Sequence, residues 1–224
     1  MKKLISILLL VIFPAGILMA QQAPLGIAAQ PNFVFDDDGG AVQVVPADLA
    51  AAGTKKFHGG AVMTSVQQVS IFLGSGWGDP KIRARETGLL DLARNGGPQF
   101  ADLSKHNVRI LAAGAVHEDF SDLSNLQLND LVIQHKLADM LANKSIAAPR
   151  AGIVYLVFLA PGVSSSLGGH KPGTDYAAYH NFFHLQGEVR YVVVPFSENV
   201  TAQQAAAARA LAETALNPNG NGWY

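Results

Sequence analysis

Seven histidines, no cysteine and an aromatic-rich segment near position 180 bound the chemistry open to this 224-residue chain. In Tyr176-Ala-Ala-Tyr179-His180-Asn-Phe182-Phe183-His184 the two histidines stand four apart. On a helix such a pair shares one face and can offer imidazole nitrogens to a metal such as zinc. Two ligands are a minimal set, and the alternative is that His180 is held against the surrounding rings by a hydrogen bond. Tyrosine and tryptophan join a flat apolar face to a polar edge, which suits contact with a carbohydrate or a protein. Tyr176, Tyr179 and His180, with Trp223 and Tyr224 in the terminal Asn219-Gly-Asn-Gly-Trp-Tyr224 stretch, are therefore the candidate binding residues. For Trp223 and Tyr224 the alternative is docking onto the body to hold down the last turn.

Other constellations carry less. His117-Glu118-Asp119 is either an acid–base group or a surface turn, and His58 before Gly59-Gly60 fits a tight turn. Ser164-Ser-Ser-Leu-Gly-Gly lacks the Gly-x-Ser-x-Gly elbow of a serine hydrolase. Gly74-Ser-Gly-Trp-Gly78 lacks the third glycine of a dinucleotide loop, and Trp77 would crowd a pyrophosphate. Asp36-Asp37-Asp38-Gly39-Gly40 lacks calcium-loop spacing and reads as a solvated turn.

The elements that position these residues follow a simple order. Residues 69–73, 108–113, 151–159 and 189–196 read as strands, short and apolar between glycine or proline stops. The run at 151–159 is apolar on both faces, which places it centrally in its sheet. Residues 80–93, 126–143 and 201–216 carry a helical apolar period. Residues 163–187 show no period and read as a long loop of the kind that often carries function. The expected fold is α/β: a single domain with a mostly buried sheet of about four or five strands and packed helices.

Lys2-Lys3 and an apolar run of about 15 residues, shorter than the roughly 20 a bilayer span needs, predict a cleaved signal peptide over residues 1–20. Ala20-Gln21 is the expected cleavage point, and without a nearby cysteine no lipid anchor is expected. The product would be secreted or periplasmic and leave no membrane segment behind. Without Lys2 and Lys3, 14 basic residues face 17 acidic ones, a net charge of −3. That is too mild to point to nucleic acid. Residues 21–56 are a weakly patterned approach, and 57–224 hold the folded domain.

Several patches in that domain are similar to the Exordium (phosphate-induced protein) family of secreted proteins. They are Phe57-His-Gly-Gly-Ala-Val-Met63 before a strand ending in Gly-x-Gly-Trp, a Tyr-Val-Val-Val-Pro strand at 191–195, and the ending Asn217-Pro-Asn-Gly-Asn-Gly-Trp-Tyr224. Members with this ending generally continue past it, so a shortened chain is one expectation. Bacterial members resemble a zinc peptidase in the last helix, with His-Glu-x-x-Glu-Ala-x-Thr-Asp-Pro, in the manner of a zincin-like fold. Aligned on Pro218, the histidine and glutamate positions hold Arg209 and Ala210, and only Glu213 remains as a ligand. Arginine stays protonated and cannot bind zinc. The resemblance thus implies a non-catalytic member without cofactor, binding a ligand or partner at the cell surface or outside the cell. The alternative it leaves is a metal-dependent hydrolase with an altered zinc site built from His180, His184 and Glu213.

Overall fold

Ile153–Leu159 is buried along its whole length, because a strand paired on both edges and covered on both faces leaves no side to water. A computed structural model describes residues 33–37, 40–49, 55–90, 92, 97–123 and 126–224. The leader at 1–20, the cleavage point at Ala20, and Asp38 and Gly39 of the aspartate turn lie outside the described residues.

The described strands are β1 (Phe33–Phe35), β2 (Ala41–Pro46), β3 (Ser65–Leu73), β4 (Arg109–Ile110) and β5 (Val116–Asp119). They continue with β6 (Gln127–Leu128), β7 (Ile153–Leu159), β8 (Ser164–Ser165), β9 (Tyr176–His184) and β10 (Glu188–Val194). The described helices are α1 (Pro80–Arg83), α2 (Glu86–Leu89), α3 (Ala101–Lys105), α4 (Asp130–Ala142) and α5 (Val200–Leu216). One sheet of eight strands runs β1-β2-β9-β10-β7-β3-β4, with β5 beside β4 on β3; β6 and β8 pair apart from it. The β1-β2-β9-β10 half is antiparallel and the β10-β7-β3-β4/β5 half parallel.

The protein is therefore a single α/β domain around a large, mainly buried sheet. Side chains alternate across β7. Val154, Leu156 and Phe158 meet Ala207, Ala210 and Leu211 of α5, while Tyr155, Val157 and Leu159 meet Ile133, Leu137 and Met140 of α4. The alanines of α5 let its axis lie close to the sheet, and Asn199 starts the helix by accepting from Ala202 N. No described helix is long and apolar enough to cross a membrane.

Three expectations change. Residues 163–187 are not a loop: they contain β8 and the nine-residue β9. The period is hidden by a bulge, since Val45 pairs with Ala178 but Pro46 with Tyr176, which puts Tyr176 and Tyr179 on one face. Four or five strands become eight in one sheet, partly because the approach segment supplies β1 and β2, with Val42–Val45 buried. The helix expected at 80–93 begins as two single turns around a break at Ala84 and Arg85.

Ala210→Leu should overpack the α5–sheet contact and lower stability by about 1–3 kcal/mol. Ala205→Leu, at a half-buried position, should cost less. Urea unfolding followed by tryptophan fluorescence compares the two.

Candidate functional site

α5 is buried over its last three turns, so the polar groups it carries there must find partners inside the protein. Arg209 Nε donates to Glu213 Oε1 at 2.9 Å, one turn on. The guanidinium also donates through Nη1 to the Leu49 carbonyl at 3.2 Å. Lys55 Nζ stands 3.9 Å from the same Glu213 oxygen. At the end of the helix Asn217 Nδ2 donates to Gln43 Oε1 at 2.7 Å, and Gly222 N donates to Asn217 Oδ1 at 2.5 Å.

His180 joins this network through Nε2, 3.0 Å from Gln43 Oε1. The glutamine oxygen only accepts, so Nε2 must carry the proton. Burial, with the Lys55 ammonium nearby, holds the imidazole down at about 3 instead of 6.5. His180 is thus a neutral core histidine that spans β9 and β2.

The zinc set His180, His184 and Glu213 is not assembled. The two histidines lie on a strand, where residues four apart stand about 13 Å from each other, far beyond the reach of one ion. His184 sits exposed at the end of β9, edge-on to Phe182, and Glu213 is already engaged by Arg209. Among the described residues no group of three or more His, Asp or Glu side chains is placed to hold a metal. The residues present do not fit zinc.

Tyr176 and Tyr179 are completely buried on the α4 face, with rings edge to face at 5.9 Å. The Tyr176 hydroxyl lies 2.9 Å from Ser165 Oγ, and burial pushes it up to about 12. These two tyrosines, with His180, are interior side chains of a paired strand rather than parts of an exposed loop. Their burial follows from the bulge and from the covering helix.

Trp223 and Tyr224 are half-buried: Trp223 packs against the core and its main-chain N–H donates to Leu216 O at 3.0 Å, so the last residues dock onto the body. Lys56 and Tyr224 exchange main-chain hydrogen bonds of 2.9 and 3.2 Å, forming an antiparallel bridge between Phe57 and Trp223. His58 N donates to Gly222 O at 2.9 Å and Gly60 N to Asn221 O at 2.7 Å. The rings alternate across this ribbon. Trp223 lies 5.3 Å from Phe57 and 4.4 Å from His106, while His58 stacks on Tyr224 at 3.9 Å with Phe33 edge-on at 5.2 Å. Phe57 is 52% exposed. Two glycines make the closeness possible: a Cβ at Gly60 would come 2.2 Å from Asn221 O, and one at Gly222 2.3 Å from Leu216 O.

The sequence reading picked Trp223 and Tyr224 but not their partners Phe57, His58 and His106. The pairing of an early segment with the last residues leaves no periodic signal. Asp130 also went unnoticed, since it lay inside the helix expected at 126–143, whereas the structure starts α4 there. Compared with known proteins, the chain matches no family model and no curated protein.

Arg209→Ala would leave the buried Glu213 carboxylate only the Lys55 ammonium, 3.9 Å away, and should cost up to about 3–5 kcal/mol, whereas Arg209→Met with Glu213→Leu should recover most of it. Chemical denaturation of the three proteins measures this.

The His180 state carries a pH dependence. Its unfolded imidazole takes a proton near 6.5 and the folded one only near 3. Stability present above pH 6.5 is therefore lost as pH falls from 6.5 toward 3. His180→Gln keeps a donor without the titration, and unfolding curves at about pH 7 and about pH 4.5 should show a smaller acid loss for it than for the parent.

Proposed function

We propose that this chain is a secreted, non-catalytic, Exordium-like protein that binds a carbohydrate or protein at or outside the cell surface. The contact surface is the ribbon of residues 56–58 with 222–224. The observation that carries this reading is the grouping of Phe57, His58, Trp223 and Tyr224 on that ribbon, with Phe57 and His58 exposed. Rings held in place by neighbours lose little freedom on binding, and each offers a flat face with a polar or apolar edge. The leader pattern of Lys2-Lys3 and the following apolar run supports export.

Two features argue for binding without catalysis. Where the resemblance would put a zinc-ligating histidine and a water-activating glutamate, α5 carries a permanently charged arginine and an alanine. In addition, the turns beyond the carboxyl ends of β3 and β7, the place where open α/β sheets take ligands, pack closely against each other. A Cβ at Gly74 would come 2.8 Å from Ala160 Cβ and from Val163 Cγ2, and one at Gly76 2.9 Å from Pro161 O. The zincin-like hydrolase reading would need a ligand set that β9 and α5 do not assemble.

Phe57→Ala should weaken retention on immobilised cell-wall polysaccharide or surface protein by at least about tenfold, the scale of a central aromatic contact. Its melting temperature should stay within error, because the ring is half in solvent. Unchanged retention would move the contact elsewhere on the molecule. Elemental analysis of the same preparation separates the hydrolase reading, which requires one zinc per chain and a chelator-lowered melting temperature.

A further inference from the structure

The ribbon of residues 56–58 with 222–224 is paired along one edge only. Lys56 exchanges both of its main-chain hydrogen bonds with Tyr224, and His58 N donates to Gly222 O. On the far side of 222–224, Trp223 N donates to Leu216 O at 3.0 Å, which ties that strand to the body. In an extended antiparallel pair, alternate residues turn their N–H and C=O to opposite edges. Phe57 therefore directs both groups away from 222–224, and neither bonds to a described residue. Lys56, Phe57 and His58 are all exposed. Gly59, with φ +87°, bends the chain and ends the edge.

Resting on the reading of this ribbon as the contact surface, we propose that its outer edge takes an extended peptide as a third strand. The peptide carries one apolar side chain beside Phe57 and an acidic side chain on either side of it. An unpaired strand edge is a template for another strand, and the donor and acceptor of Phe57 can exchange two hydrogen bonds with one residue of the peptide.

The rings favour a peptide over a sugar. Trp223 is flanked by Phe57 and His106, and Tyr224 by His58 and Phe33. Both are half-buried, so most of their ring surface is spent on neighbours and little is left for a sugar to stack on. Phe57, 52% exposed, keeps apolar surface free at the same place as the open main-chain edge.

The side chains set the pattern of the partner. Phe57 and Trp223 share one face of the ribbon, while Lys56, His58 and Tyr224 share the other. A residue paired with Phe57 places its side chain beside the ring, and its two neighbours place theirs on the Lys56 and His58 face. Residues 55–61 and 219–224 include Lys55, Lys56 and His58 and no Asp or Glu. Lys55 stands 3.9 Å from the buried Glu213, which leaves Lys56 as the exposed cation of the edge. Acidic side chains complement that face.

The test titrates an acetylated and amidated Thr-Glu-Ile-Glu-Thr peptide into the isotope-labelled full chain and follows the Phe57 amide by NMR. Two control peptides carry Lys in place of both Glu, or a methyl group on the isoleucine nitrogen that would donate to Phe57 O. The expected result is a shift of the Phe57 amide with the first peptide and binding at least about threefold weaker for each control. Lys56→Glu should reverse the preference between the acidic and the basic peptide. Equal binding of the three peptides, or no shift at Phe57, overturns the inference. A Phe57 shift that follows protein concentration alone gives the edge to a second copy and overturns it too. If the peptides are ignored while Phe57→Ala still lowers retention on polysaccharide, this inference fails and the binding reading stands.

Discussion

Burying α5 on almost every side constrains this molecule more than any other feature. A helix sunk into a sheet face gains the apolar contact of its alanines and Leu211, but it cannot send its polar side chains to water. Each must therefore be met from inside, and the partners come from distant parts of the chain. Leu49 and Lys55 meet Arg209 and Glu213, and Gln43 meets Asn217. Asn217 then hands the constraint on, because its carbonyl oxygen fixes Gly222 and so sets where Trp223 and Tyr224 must lie. The surface ribbon is in this sense a consequence of the burial of the helix.

The same constraint explains how much could be read from the sequence. Strand β7 and helix α4 announce themselves because their side chains follow one period against one environment. Strand β9 does not, since a bulge at Ala177 breaks the alternation and its two faces mix tyrosine, histidine and asparagine. Those polar residues look like a loop until the partners that satisfy them are known: Gln43 for His180, Asp130 for Asn181. Strand β5 hides for a related reason. It is an edge strand of Val-His-Glu-Asp, and charged residues at an edge discourage pairing with other chains while removing the apolar signal.

For the candidate site the pattern is similar. Residue types singled out Trp223 and Tyr224, which are half-buried at the edge of the body, and drew His180, Tyr176 and Tyr179 toward a site although the fold places them in the core. The difference lies in long-range pairing. Trp223 faces Phe57, on the other side of 165 residues of chain, and Tyr179 faces Asp130 across a helix and two strands. No local pattern encodes either contact.

The two halves of the sheet also divide the work. In the parallel half the turns after β3 and β7 pack closely, with Ala160, Pro161 and Val163 against Gly74 and Gly76. Glycine at those two points serves closeness between protein segments rather than approach of a cofactor, which is why a Gly-x-Gly turn after a strand is a poor indicator of nucleotide. On the antiparallel side, polar side chains on both faces of β9 are spent on internal linkage. Where residues 56–58 meet the last three residues a ring cluster lies partly in solvent, held from behind by the Asn217 linkage. The position of that cluster is set by the buried helix behind it, through Asn217 and Gly222, and not by any period in the segments that carry the rings.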